Sequence, residues 1–394
     1  MINDSLLQSL RSHLAWWGLR RFTSDADYFA WQRKHLSPAD LTQLNTQIER
    51  KRGGGERGDE VAFYDLTAQP QILPVLYSQR YEYYCEIGLR VAAYLGDMDR
   101  ILDVGCGVGI LTTFYATQCP EEQLVGIDRS PASIAVAREK ARALGLSNLR
   151  FDCVDVESGN FEGSYDLIVA THALVQAEQD PGIPSRNWQT FERAHDAKPQ
   201  AAFEQRTGID VGLDRLSALL ARKGRMIVFE KTRQLARRVP LQRALAARDL
   251  GPIEQPELIR YRLVEDVADD GPFYLLGKGA SRNWNESPEP DEGRTFDRTQ
   301  LKTGSSDLDA PLYENHWPSA QHVWEQLNSK RVLKETTRQE ADGRQLHVEL
   351  GQAEEGAYLY CANTFDQRQL VIVEPARAIM LESYYQEIVS STPS

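Results

Sequence analysis

The run Ile101-Leu102-Asp103-Val104-Gly105-Cys106-Gly107-Val108-Gly109 sets an acidic residue and three glycines between two hydrophobic segments. The first segment reads as a strand and the second, from Ile110, as a helix. Glycines at such a turn let the backbone reverse sharply and approach a ligand with no side chain in the way. The helix that follows offers free amides at its N-terminus. A dinucleotide is the first ligand such a turn suggests, and its fingerprint spaces the glycines G-x-G-x-x-G. Here the third glycine of that pattern would fall at 110, which is Ile, and the third glycine stands at 109 instead. Asp103 adds a carboxylate two residues before Gly105. It repels a pyrophosphate and suits a cationic, amino-bearing ligand.

Three more segments follow in order. They are Leu124-Val125-Gly126-Ile127-Asp128, Phe151-Asp152-Cys153-Val154-Asp155-Val156 and Ser164-Tyr165-Asp166-Leu167-Ile168-Val169-Ala170. With the stretch from Leu220 to Glu230, they resemble the class I S-adenosylmethionine-dependent methyltransferase family over residues 80–279. The resemblance implies S-adenosyl-L-methionine as cofactor. It places Asp103, Gly105, Cys106, Gly107 and Gly109 against the methionine part and Asp128, beside Arg129, on the ribose hydroxyls. A carboxylate can accept from two hydroxyls at once. Asp155 would accept from the adenine amino group, Val156 would flank the ring, and Thr171 would close the site at the end of the fourth strand. The implied fold is an α/β, Rossmann-like, doubly wound, mostly parallel seven-stranded sheet with an antiparallel last strand. Ligands then sit at the C-terminal strand ends near the topological switch.

The implied activity is methyl transfer to an O, N, S or C atom, and the acceptor is less legible. The chain lacks [DNS]-P-P-[YFW], the Pro-Cys or Thr-Cys nucleophile of cytosine-carbon methylation and a paired-glutamate loop. These absences point toward small molecules, or proteins modified elsewhere. His172, just past the fourth strand, titrates near neutrality and is the first candidate base, with Glu230 the second. The alternative for both is that they only line or pack the pocket, because proximity and alignment can suffice for this reaction. The long connection 173–211 is expected to form a lid. The tyrosine-rich segment 60–84, with Tyr64, Tyr77, Tyr81, Tyr83 and Tyr84, would be the opposite wall.

The elements that must position these residues divide the chain into four parts. Residues 1–79 read as a helical extension or cap, with Leu6, Leu7, Leu10, Leu14 and Trp17 at helical spacing and a second helix opening at Ser37-Pro38. Residues 80–279 alternate strands and helices as β-α-β units do. They end in two strands, Leu258–Val264 and Phe273–Leu276, with Asp269-Asp270-Gly271 as the turn between them. Residues 280–310 are a linker by composition. Residues 311–394 form a small α+β unit with four candidate strands near 331–339, 344–350, 357–362 and 369–373, suited to interaction, dimerisation or walling the acceptor site.

Composition bounds the function classes. The chain has 394 residues, 41% hydrophobic, with a net charge of -12. That is enough apolar material for a core and argues against a general polyanion binder. No apolar run approaches the roughly 20 residues needed to span a bilayer, so no membrane partner is expected. The N-terminal residues have no export signal, which makes cytoplasmic the expected location. Five scattered cysteines and seven dispersed histidines carry no metal-ligand spacing, so no metal is expected. The stretch 222–248 departs from the average. It holds nine Lys and Arg against the single carboxylate Glu230, a net charge of +8, with Arg237, Arg238, Arg243 and Arg248 expected on a surface helix. An acidic protein or RNA docked there is the alternative to a small-molecule acceptor, and a solvated face or docking against the chain's own acids is a third reading. A cofactor-binding regulator without turnover, and a homodimer through the C-terminal unit, stay open at this stage.

Overall fold

Runs of Ile, Leu and Val bounded by turn residues become the strands of a central sheet: β1 (Arg100–Val104), β2 (Gln123–Asp128), β3 (Leu149–Cys153), β4 (Tyr165–Thr171) and β5 (Leu220–Phe229). All are parallel, in the order β3-β2-β1-β4-β5. The computed structural model describes residues 4–52, 57–159, 161–175, 180–264, 266–280, 283–288, 296–301, 310–340 and 344–391. β1 lies in the middle of the parallel strands, with Ile101, Leu102 and Val104 at most 2% exposed. The strand order reverses between β1 and β4, where an open α/β sheet leaves a crevice for ligands. Helices Ile110–Gln118 and Pro131–Ala143 connect β1 to β2 and β2 to β3, and helix Ile209–Leu219 leads into β5.

The antiparallel end differs from the sequence-based expectation. β6 (Leu250–Pro252), β7 (Glu257–Arg262) and β8 (Val267–Lys278) complete an eight-stranded sheet rather than a seven-stranded one. β8 runs antiparallel beside β5, with Phe273 opposite Phe229. β6 and β7 pair with successive parts of its other edge, at 276–278 and 267–273. The expected sixth strand is therefore present but interrupted near Pro256, which has no N–H to donate to a ladder. The reversal between β7 and β8 lies at Leu263–Asp266, where each backbone amide donates to the other's carbonyl. Asp269 and Asp270, expected in a turn, are strand residues of β8 instead. A register shift between Ile259 and Arg260 accommodates the adjoining Gly271.

The chain divides into two compact units, Met1–Asp180 with Glu204–Arg233 and Leu241–Trp284, and Pro181–Phe203 with Gln234–Pro240 and Asn285–Ser394. The N-terminal helices thus share the unit of the large sheet. Leu10 and Leu14, both fully buried, and Trp17 join one cluster with Ile87, Val91 and Phe114. Ser24, whose hydroxyl accepts from the Asp27 amide, caps a further helix, Asp25–His35, which precedes the expected helix at Pro38–Arg52. No helix among the described residues is long and apolar enough to cross a membrane.

The second unit is built on an antiparallel sheet of β9 (Tyr313–Asn315), β10 (Arg331–Gln339), β11 (Gln345–Ala353), β12 (Gly356–Asn363) and β13 (Arg368–Val373), ordered β10-β11-β12-β13-β9. Both faces are covered, as the period-two pattern requires. Tyr358 and Tyr360 of β12 pack with Val323 and Leu327 near helix Ser319–Glu325, while Ala357 and Leu359 pack with Leu381 and Tyr385 of helix Ala378–Ser390. Residues 181–203, expected within a lid, belong to this unit. Trp188 stacks on His347 with ring centroids 3.6 Å apart, and the fully buried Arg193 pairs with Asp366.

The basic stretch 222–248 is not a solvated basic helix. Arg237 and Arg238 are 8% and 1% exposed. Arg248 lies 2.7 Å from Glu204 and 2.8 Å from Asp214, and Arg233 lies 3.1 Å from Asp269. The chain's own carboxylates thus pair with two of the nine cations, Arg233 and Arg248.

Candidate active site

A cavity of about 760 Å³ opens at the C-terminal ends of β1, β2 and β4. Every residue lining it belongs to the first unit. Asp103, Gly105, Cys106, Gly107, Asp128, Arg129, Asp155, Val156 and Thr171, expected from the sequence to hold a ligand, all line it. Gly109 does not. A Cβ there would lie 2.8 Å from the Phe151 ring and 3.0 Å from Ala137, so this glycine lets the helix pack on β3.

The turn after β1 is fastened from below by β2. The Gly105 and Cys106 amides both donate to the Ile127 carbonyl, at 2.9 and 3.0 Å. Gly107 N–H donates to Asp128 Oδ2 at 2.9 Å, and Ser130 N–H donates to Oδ1 at 2.8 Å. Gly105 has φ +68°, and a Cβ on it would sit 2.7 Å from that of Ala173. Gly107 has φ +54° with nothing within 4 Å of a Cβ, so the missing side chain leaves room in the cavity.

Two carboxyls of this half are shifted by burial. Desolvation pushes Asp103 up to about 7, against a 2.5 Å hydrogen bond from Thr112 Oγ1. Asp128 is also raised by burial, with the Ser130 and Gly107 amides pulling the other way. Across the cavity, Tyr115 Oη is buried with no hydrogen-bond partner among the described residues. Asp155 accepts from Glu157 N–H and Ser158 Oγ, both at 3.0 Å, and Arg129 pairs with Glu60.

The other half has aromatic walls and a buried polar chain. Tyr64, Tyr77, Tyr83 and Tyr84 line it as expected, whereas Tyr81 turns into the helical core. His172 follows β4 with φ +55°, a conformation uncommon outside glycine, and its amide donates to the Phe229 carbonyl at 2.8 Å. Arg80 Nη2 lies 2.6 Å from His172 Nδ1. A guanidinium can only donate, so Nδ1 is the acceptor and the imidazole proton resides on Nε2. That nitrogen faces Asp270 Oδ2 at 3.0 Å, and Asp270 also accepts from the Tyr261 hydroxyl. Burial lowers His172 to about 4. Asp270 lies at about 2: burial pushes it up, but its contact with His172 and the hydrogen bond from the Tyr261 hydroxyl outweigh that. The lone pair that a base needs is therefore occupied by Arg80, contrary to the expectation for His172.

Glu230, the other expected base, is 2% exposed and does not line the cavity. Its Oε1 accepts from the Ala173 and Leu174 amides at 2.8 and 2.9 Å, and Oε2 from Val175 at 3.4 Å. It holds the loop after β4, which positions Ala173 against Gly105.

Residues 95–244 match a protein family described as a methyltransferase domain. Over that stretch the chain is similar to methyltransferases. Among curated relatives, the malonyl-[acyl-carrier protein] O-methyltransferase of Acetivibrio thermocellus is 33% identical over 101 residues, which is 24% of this chain and 35% of that protein. The trans-aconitate 2-methyltransferase of Deinococcus radiodurans is 34% identical over 90 residues, 23% of this chain and 33% of the relative. The release factor glutamine methyltransferase of Vibrio cholerae is 27% identical over 160 residues, 39% and 54% respectively. The chain thus spans between about a third and about a half of the length of these relatives.

Several cavity residues around the methyltransferase domain have no sequence signature. Arg80 sits between two helices, and Tyr261, Asp266, Asp269 and Asp270 come from the closing hairpin. The paired aspartates were visible as a polar cluster, but such a cluster reads first as a turn.

Proposed function

We propose that the methyltransferase domain binds S-adenosylmethionine and methylates a small molecule held in the aromatic half of the cavity. The observation that carries this reading is the glycine turn stitched to Asp128 at the C-terminal ends of β1 and β2. Each Asp128 oxygen accepts one amide, which leaves acceptor capacity on both for a ribose diol. Asp103 suits the amino group of a methionine moiety, the absent Cβ of Gly107 leaves room for it, and Tyr115 Oη is a buried hydroxyl awaiting a partner. These groups fit the cofactor, which when bound would supply an electrophilic methyl on its sulfonium.

The chain's own residues then bind, orient and exclude water. Neither His172 nor Glu230 has the free, cavity-facing lone pair of a general base. The account therefore rests on proximity: an acceptor held in line with the methyl needs little further help if its nucleophile carries a lone pair. The tyrosine-walled cavity supports a small acceptor, and the pairing of Arg233 and Arg248 with the burial of Arg237 and Arg238 withdraws four of the nine cations of 222–248 from a docked polyanion. The relatives are named for malonyl-[acyl-carrier protein], trans-aconitate and release-factor glutamine, so they span small-molecule and protein acceptors.

The test is transfer of labelled methyl from S-adenosylmethionine to separated metabolite, protein and RNA fractions. Label in the metabolite fraction is expected. Label confined to protein or RNA would overturn the small-molecule reading.

A further inference from the structure

Arg80 is the unusual charge of the cavity. It lies deep in the first unit yet keeps surface open to the cavity interior. Among the described residues its side chain makes one hydrogen bond, from Nη2 to His172 Nδ1, and its guanidinium lies over the Tyr83 ring, 4.3 Å from the centroid. Among the described residues no carboxylate pairs with it, and its other guanidinium N–H groups have no acceptor. By contrast, Arg129, Arg233 and Arg260 of the same unit each meet a carboxylate. The remaining guanidinium donors of Arg80 face the cavity, where a ligand can complete them.

The surroundings hold this group in place. Nε2 of His172 lies 3.0 Å from Asp270 Oδ2, and Nδ1 presents its lone pair to Arg80. A planar fork of donors held in this way matches a carboxylate, which can accept two parallel hydrogen bonds. A dianionic phosphate fits less well, because Asp103, Asp128, Asp266 and Asp270 line the same cavity. The walls beside Arg80 are the aromatic residues Phe63, Tyr64, Tyr83, Tyr84 and Tyr261. We infer that Arg80 anchors a ligand carboxylate, and that the acceptor is a carboxylic acid with an aromatic or apolar body. The inference rests on the proposed methyltransferase reading for the role of that acid. The same carboxylate chemistry is also offered by the amino-acid end of the cofactor, so the test separates the two sources.

Wild-type protein, Arg80→Met and Arg80→Lys are titrated with S-adenosylhomocysteine, with 5′-methylthioadenosine, which lacks the amino-acid end, and with benzoate and its neutral isostere benzamide. In wild type, benzoate is expected to bind roughly 10- to 100-fold more tightly than benzamide, the range of a charge-assisted pair. Arg80→Met should remove that preference and Arg80→Lys retain part of it, with both nucleosides unchanged. If Arg80→Met instead weakens S-adenosylhomocysteine but not 5′-methylthioadenosine, the anchored carboxylate is the cofactor's, and the acid-acceptor half of the inference is overturned. If wild type does not distinguish benzoate from benzamide and Arg80→Met binds every probe as wild type does, the whole inference is overturned. Should the variants fail to fold, the wild-type comparison of benzoate with benzamide still decides on the acid. Failure of wild type to bind S-adenosylhomocysteine would count against the methyltransferase reading alone, because benzoate can be titrated without it.

Discussion

Arg80 donates to His172 Nδ1 across 2.6 Å, and this contact settles the imidazole's state. The ring is neutral with its proton on Nε2, and burial lowers it from 6.5 to about 4. Ring NMR should show His172 neutral from pH 7.5 down to about 5, with no midpoint near 6.5. The unfolded chain takes up that proton below 6.5 and the folded chain does not until about 4, so this group's contribution to stability is present above 6.5 and falls away between those values. A midpoint near 6.5 would restore His172 as a base.

Asp103 titrates the other way. Burial raises it from 3.8 to about 7, so near pH 6 it is largely protonated and cannot pair with an ammonium group. Affinity for S-adenosylhomocysteine should rise from pH 6 to 7.5 by several-fold, below the limit of about tenfold per unit for one proton. Asp103→Asn should bind more weakly and flatten the dependence. A wild-type profile as flat as that of Asp103→Asn would separate Asp103 from the ligand's amino group.

Gly105 and Gly107 share a left-handed conformation but differ in what surrounds them. A Cβ on Gly105 meets Ala173 at 2.7 Å, whereas one on Gly107 meets nothing within 4 Å. Gly105→Ala should cost about 2–3 kcal/mol of stability, from strain plus overlap. Gly107→Ala should cost about 1 kcal/mol and act mainly on ligand affinity. Denaturant unfolding with parallel calorimetry separates the two, and equal stability losses would contradict the difference in packing.

Glu230 accepts three loop amides from inside the protein. Glu230→Gln turns an acceptor into a donor against those N–H groups and should destabilise the fold by about 1–3 kcal/mol. A variant of wild-type stability that has lost turnover would instead place Glu230 in the chemistry.

What the sequence made legible follows from how local each signal is. β1, β2, β4 and β5 carry β-branched runs, with a glycine turn after β1 and an acidic end to β2, and neighbouring residues specify all of these. Asp103 was legible in the turn itself, and Asp128 and Asp155 through the family resemblance of the motifs that carry them. Asp269-Asp270-Gly271 was misread because its composition favours a turn, while the partners that make it a strand lie across the sheet in β5 and β7. The burial of Arg237 and Arg238 and the pairing of Arg248 with Glu204 likewise depend on distant segments. The exchange of Arg80 with His172 spans 92 positions and has no periodicity to announce it.

The central claim is that the Asp128-stitched turn binds S-adenosylmethionine, and calorimetry with S-adenosylhomocysteine tests it most directly. Wild type should bind, and Asp128→Ala, with its secondary structure intact by circular dichroism, should bind at least about tenfold more weakly, as expected for a lost charged acceptor. No binding by wild type, or equal affinity in the variant, would contradict the account.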